Sequence, residues 1–464
     1  MSKNIKAAAN YPEGNILGTE KVGRLLRMYA VPSIISMLVN ALYNIVDQIF
    51  IGWGVGYLGN GATNIIFPIT IVFAAFALMF GDGSAAYMSL KLGASKRDEA
   101  ASGVANGIIL SIATSGVLTV IVFAIFPRLL NLFGCTAELE PYAREYGYII
   151  IIGLPFQTVC ATVNSVIRAD GSPKYAMFSM MSGALLNVVL DPIFIFLFDM
   201  GVKGAAIATV ISQVVSFLLN VLYLRRLKNI GLKGSFKLSP SIASKVASLG
   251  ISSFITQIFA ALIMGLQNNL LRSQGHLSAY GSEIPITVTG IVVKVNEILN
   301  SVFLGIAVGA QPIISYNYGA GKYDRVKKAL KTAIISGLVL SVAAFAVFQS
   351  IPDRIILLFG NNGGGKYMEF ARLAFRIYTL FIIGNSIQTP VCTFLQSIGK
   401  SAKSSVLSLS KQALFPVPSM LILSRLLGVT GVLCARPVSD CLAFLLAVIL
   451  AAIELKSMDR RKQI

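Results

Sequence analysis

Twelve stretches of this chain are apolar over about 20 residues or more, the length an α-helix needs to cross a bilayer's hydrocarbon core. They fall near 27–52, 62–90, 101–127, 142–165, 173–199, 204–224, 246–271, 284–318, 329–351, 368–397, 404–424 and 430–455. Hydrophobic residues make up 55% of the chain and charged residues only 13%. A soluble domain carries about 25% charged residues, so water is excluded as the main solvent. The short polar–apolar alternation of a membrane β-barrel is absent. The expectation is an all-α membrane protein of twelve transmembrane helices.

A net charge of +19 would suit nucleic-acid binding if it formed a surface stripe. Instead most of the 39 Lys and Arg fall in the two termini and in every second loop. That is the positive-inside bias, and it places both termini in the cytoplasm of a multi-pass cell-membrane protein with no nucleic-acid partner. Residues 1–26 and 456–464 read as cytoplasmic segments, and the basic stretch 225–245 as a cytoplasmic linker. No cleavable leader is expected in the first 26 residues. The five cysteines form no CxxC pair, so neither a disulfide framework nor a zinc site is implied.

The linker separates two similar halves, 27–224 and 246–455. Gly83–Asp98 aligns without gaps on Gly309–Asp324, with six of sixteen residues identical. Gly201-Val-Lys-Gly204 aligns on Gly428-Val-Thr-Gly431. Six spans per half is an even number, so both halves enter the membrane in one orientation. Parallel repeats of this kind form two-lobed transporters with a cavity between the lobes.

Ionisable side chains inside a span cost about 2.5–3.5 kcal/mol at helix centre, so they face a cavity or a partner. Asn40, Asn44 and Asp47 share one face of the first span. Asn187 and Asp191 share a face of the fifth, beside Pro192, and Thr209 with Gln213 a face of the sixth. Two acids among amide and hydroxyl oxygens suit either a hard cation such as sodium or a shared proton. A static hydrogen-bonded network is the competing reading. Gln157 on the fourth span, Asp82 in Gly81-Asp82-Gly83, and Met180 are candidate supporting or cavity residues. In the second half Gln267 stands where Asp47 would be expected. Lys294/Glu297 and Arg436/Asp440 have spacings that let each pair neutralise itself, leaving Glu297 a secondary substrate candidate.

These motifs resemble the multidrug and toxic compound extrusion (MATE) family, within the multidrug/oligosaccharidyl-lipid/polysaccharide exporter superfamily. Pro32 with Asn44-x-x-Asp47 and Gly52 is similar to the family's first span, Asn187-x-x-x-Asp191-Pro192 to its fifth, Gly204–Thr209 to its sixth and Gly309-x-Gln311-Pro312 to its eighth. Gly81-Asp82-Gly83 resembles the staphylococcal-type branch. The resemblance implies an antiporter exporting amphipathic, often cationic, small molecules against inward sodium or protons. It implies a monomer surrounded by membrane lipids, no cofactor beyond the coupling ion, and Asp47, Asn187, Asp191 and Thr209 as the cation site. Those four would ligate a metal only under sodium coupling. The acid that some branches carry on the seventh span has no match. Two alternatives stand: a lipid-linked precursor flippase of the same superfamily, and a membrane-embedded lipid-modifying enzyme. A lone His276 and the lack of a nucleophile–base pair argue against the enzyme.

Overall fold

The computed structural model describes residues 16–55, 57–133, 135, 138–232, 234–281, 283–357 and 364–463, and the side chains of Asn40 and Asn44 lie outside the described set. Among the described residues the regular structure is helical throughout. The first half consists of Val22–Gly54, Tyr57–Gly93, Arg97–Leu132, Glu140–Ala169, Pro173–Pro192 with a π-helical turn Ile193–Leu197, and Gly201–Leu224. These are spans 1 to 6. Spans 7 to 9 are Pro240–His276, Glu283–Gly319 and Tyr323–Ser350. Several helices run past their apolar stretches, as the 33 residues of span 1 show. Span 7 also begins inside the segment read as linker, because Pro240 suits a first helical turn, where its missing N–H costs nothing.

Span 10 is bent rather than straight: two helices, Gly365–Tyr378 and Ile382–Ser397, meet at 43°. The break has a visible cause. Gln349 of span 9 donates its side-chain amide to the Arg376 carbonyl at 3.1 Å, while the Leu380 N–H turns instead to Ile377. A side chain inserted into the helical ladder in this way kinks the helix.

Helix runs without interruption from Pro416 to Gln463 apart from Gly428, whose φ of 60° and ψ of −136° are not helical. With Ser401–Leu409 and the π-helical turn Ser410–Leu414 ahead of it, the 60 residues Ser401–Arg460 would reach about 90 Å if straight, three times a bilayer core. Gly428 therefore divides span 11 from span 12, completing twelve. Its counterpart in the repeat, Gly201, also has positive φ, at 55°. Both halves use glycine to reverse the chain before their last span.

The core shows how the lobes meet. At the end carrying the loops near 94–96, 170–172, 320–322 and 398–400, one buried cluster joins Leu25, Met88 and Val166 of the first lobe to Ile313, Phe394 and Leu407 of the second. At the opposite end the core divides. One cluster holds Ile51, Ile66, Phe126 and Ala205 of the first lobe only. Another holds Leu271, Val288, Phe370 and Val432 of the second only. The lobes touch at the loop-basic end and separate at the other.

The contact is made through glycines at repeat-related positions. A Cβ on Gly83 would strike the Val246 carbonyl of span 7, and one on Gly309 the Ala30 backbone of span 1. Gly250 meets Met79 as Gly305 meets Ile34. These pairs match Ala30 to Val246 and Ile34 to Gly250. Continuing along two unbroken helices, the register places Ile263 at Asp47's position. Gln267 is therefore not its counterpart, a point decided by packing that residue chemistry could not decide.

Candidate functional site

The first lobe holds two carboxylates that meet in the half away from the lobe–lobe contact. Asn187 and Asp191 lie one helical turn apart on span 5, and the Asn187 Nδ2 donates to Asp191 Oδ1 at 2.9 Å. The same nitrogen reaches Thr209 Oγ1 of span 6 at 3.3 Å. Asp47 arrives from span 1 close enough for its carboxyl to act electrostatically on that of Asp191. Asn187 and Asp191 are buried, at 1% and 0% exposure. Pro192 ends the regular helix after Asp191, and the π-helical turn follows at once. Such turns are rare and recur at functional sites.

Three acceptors in this group have no hydrogen-bond partner: Asp47 Oδ1, Asn187 Oδ1 and Asp191 Oδ2. Buried polar atoms are nearly always satisfied, so three orphaned oxygens from three side chains mark a place where a positive species is missing from the protein's own atoms. The donor set is oxygen only, which suits a hard ion or a proton. Among the described residues no cluster of three His, Cys, Asp or Glu exists. Tyr43, one turn before Asp47, and Tyr146 of span 4 lie in the electrostatic reach of both acids. Sequence reasoning missed both. The spacing of Tyr43 from Asp47 was a usable signal; Tyr146 has none, since it comes from a different span.

The other candidates separate from this group. Gln157 accepts a hydrogen bond from Gln213 at 3.4 Å, tying spans 4 and 6. Met180 is half-buried on span 5. Asp82 belongs to the lobe–lobe contact: Ser253 of span 7 donates to its Oδ2 at 2.8 Å and Ser165 of span 4 to its Oδ1 at 3.3 Å. Arg168 stands behind them, donating to Ser165 Oγ at 2.8 Å. Gln267 is buried on span 7. Arg436 and Asp440 form the expected ion pair at 3.1 Å. Lys294 and Glu297 form none among the described residues, and both are exposed. Asn40 and Asn44 lie outside the described side chains.

Two six-helix lobes related by a parallel repeat, closed at one end and holding buried acids, define a membrane transporter rather than an enzyme. The MatE family model matches residues 32–193 and again 271–422, once in each half, and the chain belongs to that family. It is 25% identical over 433 residues to the multidrug export protein MepA of Staphylococcus aureus (strain N315), covering 92% of this chain and 93% of that one. Staphylococcus saprophyticus MepA is 24% identical over 432 residues, covering 91% and 92%. A crystal structure of MATE in complex with MaL6 superposes with a TM-score of 0.90 at 22% identity, over 97% of this chain and 100% of that one. An outward-facing multidrug resistance MATE transporter gives 0.88 at 22% identity, again over 97% and 100%.

Proposed function

We propose that the protein is a secondary active antiporter that exports amphipathic, often cationic, small molecules in exchange for sodium ions or protons entering at Asp47 and Asp191. The observation that carries this reading is the set of three unpartnered buried oxygens, from the carboxylates of Asp47 and Asp191 and the amide of Asn187. Asp47, Asn187, Asp191 and Thr209 would hold the ion. Sodium would take all four oxygens; a proton would be shared by the two acids.

The positive-inside bias of the loops at the closed end supports a reading in which that end and both termini face the cytoplasm and the lobes open outward. Residues 27–224 and 246–455 move as the two lobes, linked through 225–245, in a monomer bathed by lipid. The ion enters from outside, replaces the missing positive charge, and lets spans 1, 5 and 6 draw together. Substrate then leaves, because the filled site and the filled cleft favour different arrangements. Exchange requires only that difference in affinity.

The test is ethidium efflux from proteoliposomes under a sodium gradient alone, then a pH gradient alone. One gradient is expected to drive efflux in the wild type and to fail with Asp47→Asn. Undiminished efflux from a folded Asp47→Asn protein would remove the site from the mechanism.

A further inference from the structure

Residues 16–21 belong by chain to the first lobe and by contact to the second. Ile16–Thr19 form one helical turn, and Lys21, at φ −56° and ψ 126°, separates it from Val22–Gly54. Leu17 is 2% exposed and shares a buried cluster with Ile313, Tyr316 and Val326 of the second lobe. Gly18 lies against Tyr316 of span 8, where a Cβ would come within 2.9 Å of the ring.

Three side chains of the second lobe hold the backbone of this strap. Asn317 of span 8 donates to the Leu17 carbonyl at 2.9 Å. Lys322, between spans 8 and 9, donates to the Gly18 carbonyl at 3.0 Å. Arg325 of span 9 donates through Nη2 to the Leu17 carbonyl at 3.1 Å and to the Glu20 carbonyl at 2.6 Å. Its Nε donates to Asn317 Oδ1 at 2.9 Å, which fixes the two donors relative to one another. Two of the three are cations, and charge-assisted hydrogen bonds are the strong ones. On its other side the strap is joined to span 1: the Glu20 carboxylate accepts from the Lys21 N–H at 2.9 Å and from Arg24 at 3.2 Å.

The repeat mirrors this arrangement. Asn106 of span 3 is buried, donates to the Lys237 carbonyl at 3.1 Å and accepts from the Ser239 N–H at 2.8 Å, just ahead of span 7. The register that sets Ala30 over Val246 sets Lys21 over Lys237, so the two held segments correspond. Each lobe grips the backbone that leads into the other lobe's first span. The linker is also bound to the first lobe through span 6 itself, and through Asp170, which accepts from the Lys228 and Asn229 N–H groups at 2.8 and 3.0 Å. The strap's grip on the second lobe is made of hydrogen bonds and packing, which can be released.

We infer that residues 16–21 are a latch between the lobes: held by Asn317, Lys322 and Arg325, they keep the closed end shut, and they let go of the second lobe when that end opens. The inference rests on the transport reading above, in which the two ends open alternately. Opening the closed end parts span 1 from span 8 at Ala30–Gly309 and Ile34–Gly305, and it draws the strap away with span 1. Contacts made in one state only set the ratio of the two openings.

The experiment places spin-label pairs at Lys96 with Lys328, across the lobes, and at Ile16 with Lys328, across the latch, in a background lacking the five native cysteines. Distances are measured in proteoliposomes for wild type and Arg325→Gln. They are taken first in sodium buffer at neutral pH, then with saturating ethidium in sodium-free alkaline buffer, which removes either coupling ion. In the wild type both distances are expected to lengthen together in the second condition. In Arg325→Gln the ratio of long to short populations should rise about tenfold or more for both pairs, as for loss of charge-assisted hydrogen bonds. A ratio equal to that of the wild type overturns the latch. Should Arg325→Gln not fold, the paired wild-type distances decide alone. A Lys96–Lys328 distance that lengthens while Ile16–Lys328 stays short overturns the latch and leaves the transport reading standing, because the strap would then travel with the second lobe. Lobes fixed at one distance in every condition would overturn both.

Discussion

Gly93 and Gly319 each lie against the other's helix: a Cβ on Gly93 would strike the Tyr316 carbonyl, and one on Gly319 the Leu90 carbonyl. The two contacts are images of one another under the internal repeat, so spans 2 and 8 cross on the pseudo-twofold axis at the closed end. Only glycine permits so close an approach of two backbones.

Replacing either glycine by alanine should loosen that closure to a similar degree. Overpacking of this kind costs about 1–3 kcal/mol, enough to shift a two-state equilibrium about 5- to 150-fold towards the opposite opening. Spin labels at the exposed Lys96 and Lys328 should report a longer distance in Gly93→Ala and in Gly319→Ala than in the wild type. A lengthening in one variant and not the other would argue against the symmetric crossing.

The Asp82 network crosses the same interface. Asp82 accepts from Ser165 of its own lobe and Ser253 of the other, and Gln396 of span 10 donates to Ser253 at 3.4 Å. Asp82→Asn should lower stability by about 1–3 kcal/mol, and Arg168→Gln by a comparable amount. Because the two side chains belong to one network, the double variant should cost less than the sum. Thermal midpoints of the four proteins in one detergent test this; strict additivity would count against a shared network.

Gly428 presents a backbone problem. At φ 60° and ψ −136° it occupies a region that residues with a Cβ rarely adopt. Gly428→Ala should cost about 1–3 kcal/mol and reduce the folded fraction recovered from membranes. The neighbouring Gly431, whose Cβ would meet the Leu423 carbonyl, should be equally intolerant for a packing reason. Gly265, with open space around it, serves as the control and should tolerate alanine.

Within the first-lobe site the effects should be graded. Asp191→Asn should abolish ion-driven export, since it removes a buried charge. Thr209→Val should weaken it about tenfold, the worth of one neutral oxygen ligand at roughly 1.4 kcal/mol. Concentration dependence of export on the coupling ion separates the two: a shifted midpoint for Thr209→Val, no ion dependence for Asp191→Asn.

Much of this was legible in the sequence because a bilayer constrains helices so strongly. The spans could be read from hydropathy, and the pairing of Asn187 with Asp191 from their spacing on one helix. The meeting of Asp47 with Asp191 was approachable because few chemistries tolerate two acids in one lobe. Relations between distant helices were not legible. Span 10 bends through Gln349, a residue of another helix. The partners of Asp82 come from spans 4 and 7, and Tyr146 joins the acids from span 4. Gln267 was misplaced against Asp47 because the register of spans 1 and 7 is set by glycine contacts with spans 8 and 2. Residue similarity carries no trace of those contacts.

The proposed exchange has Asp47 and Asp191 carry the ion whose entry drives export. It is tested most directly by measuring ion uptake into proteoliposomes during ethidium exchange, for wild type and Asp191→Asn. Sodium or proton uptake should rise with ethidium movement in the wild type and disappear in Asp191→Asn. Ethidium-linked uptake that persists in a folded Asp191→Asn protein would contradict it.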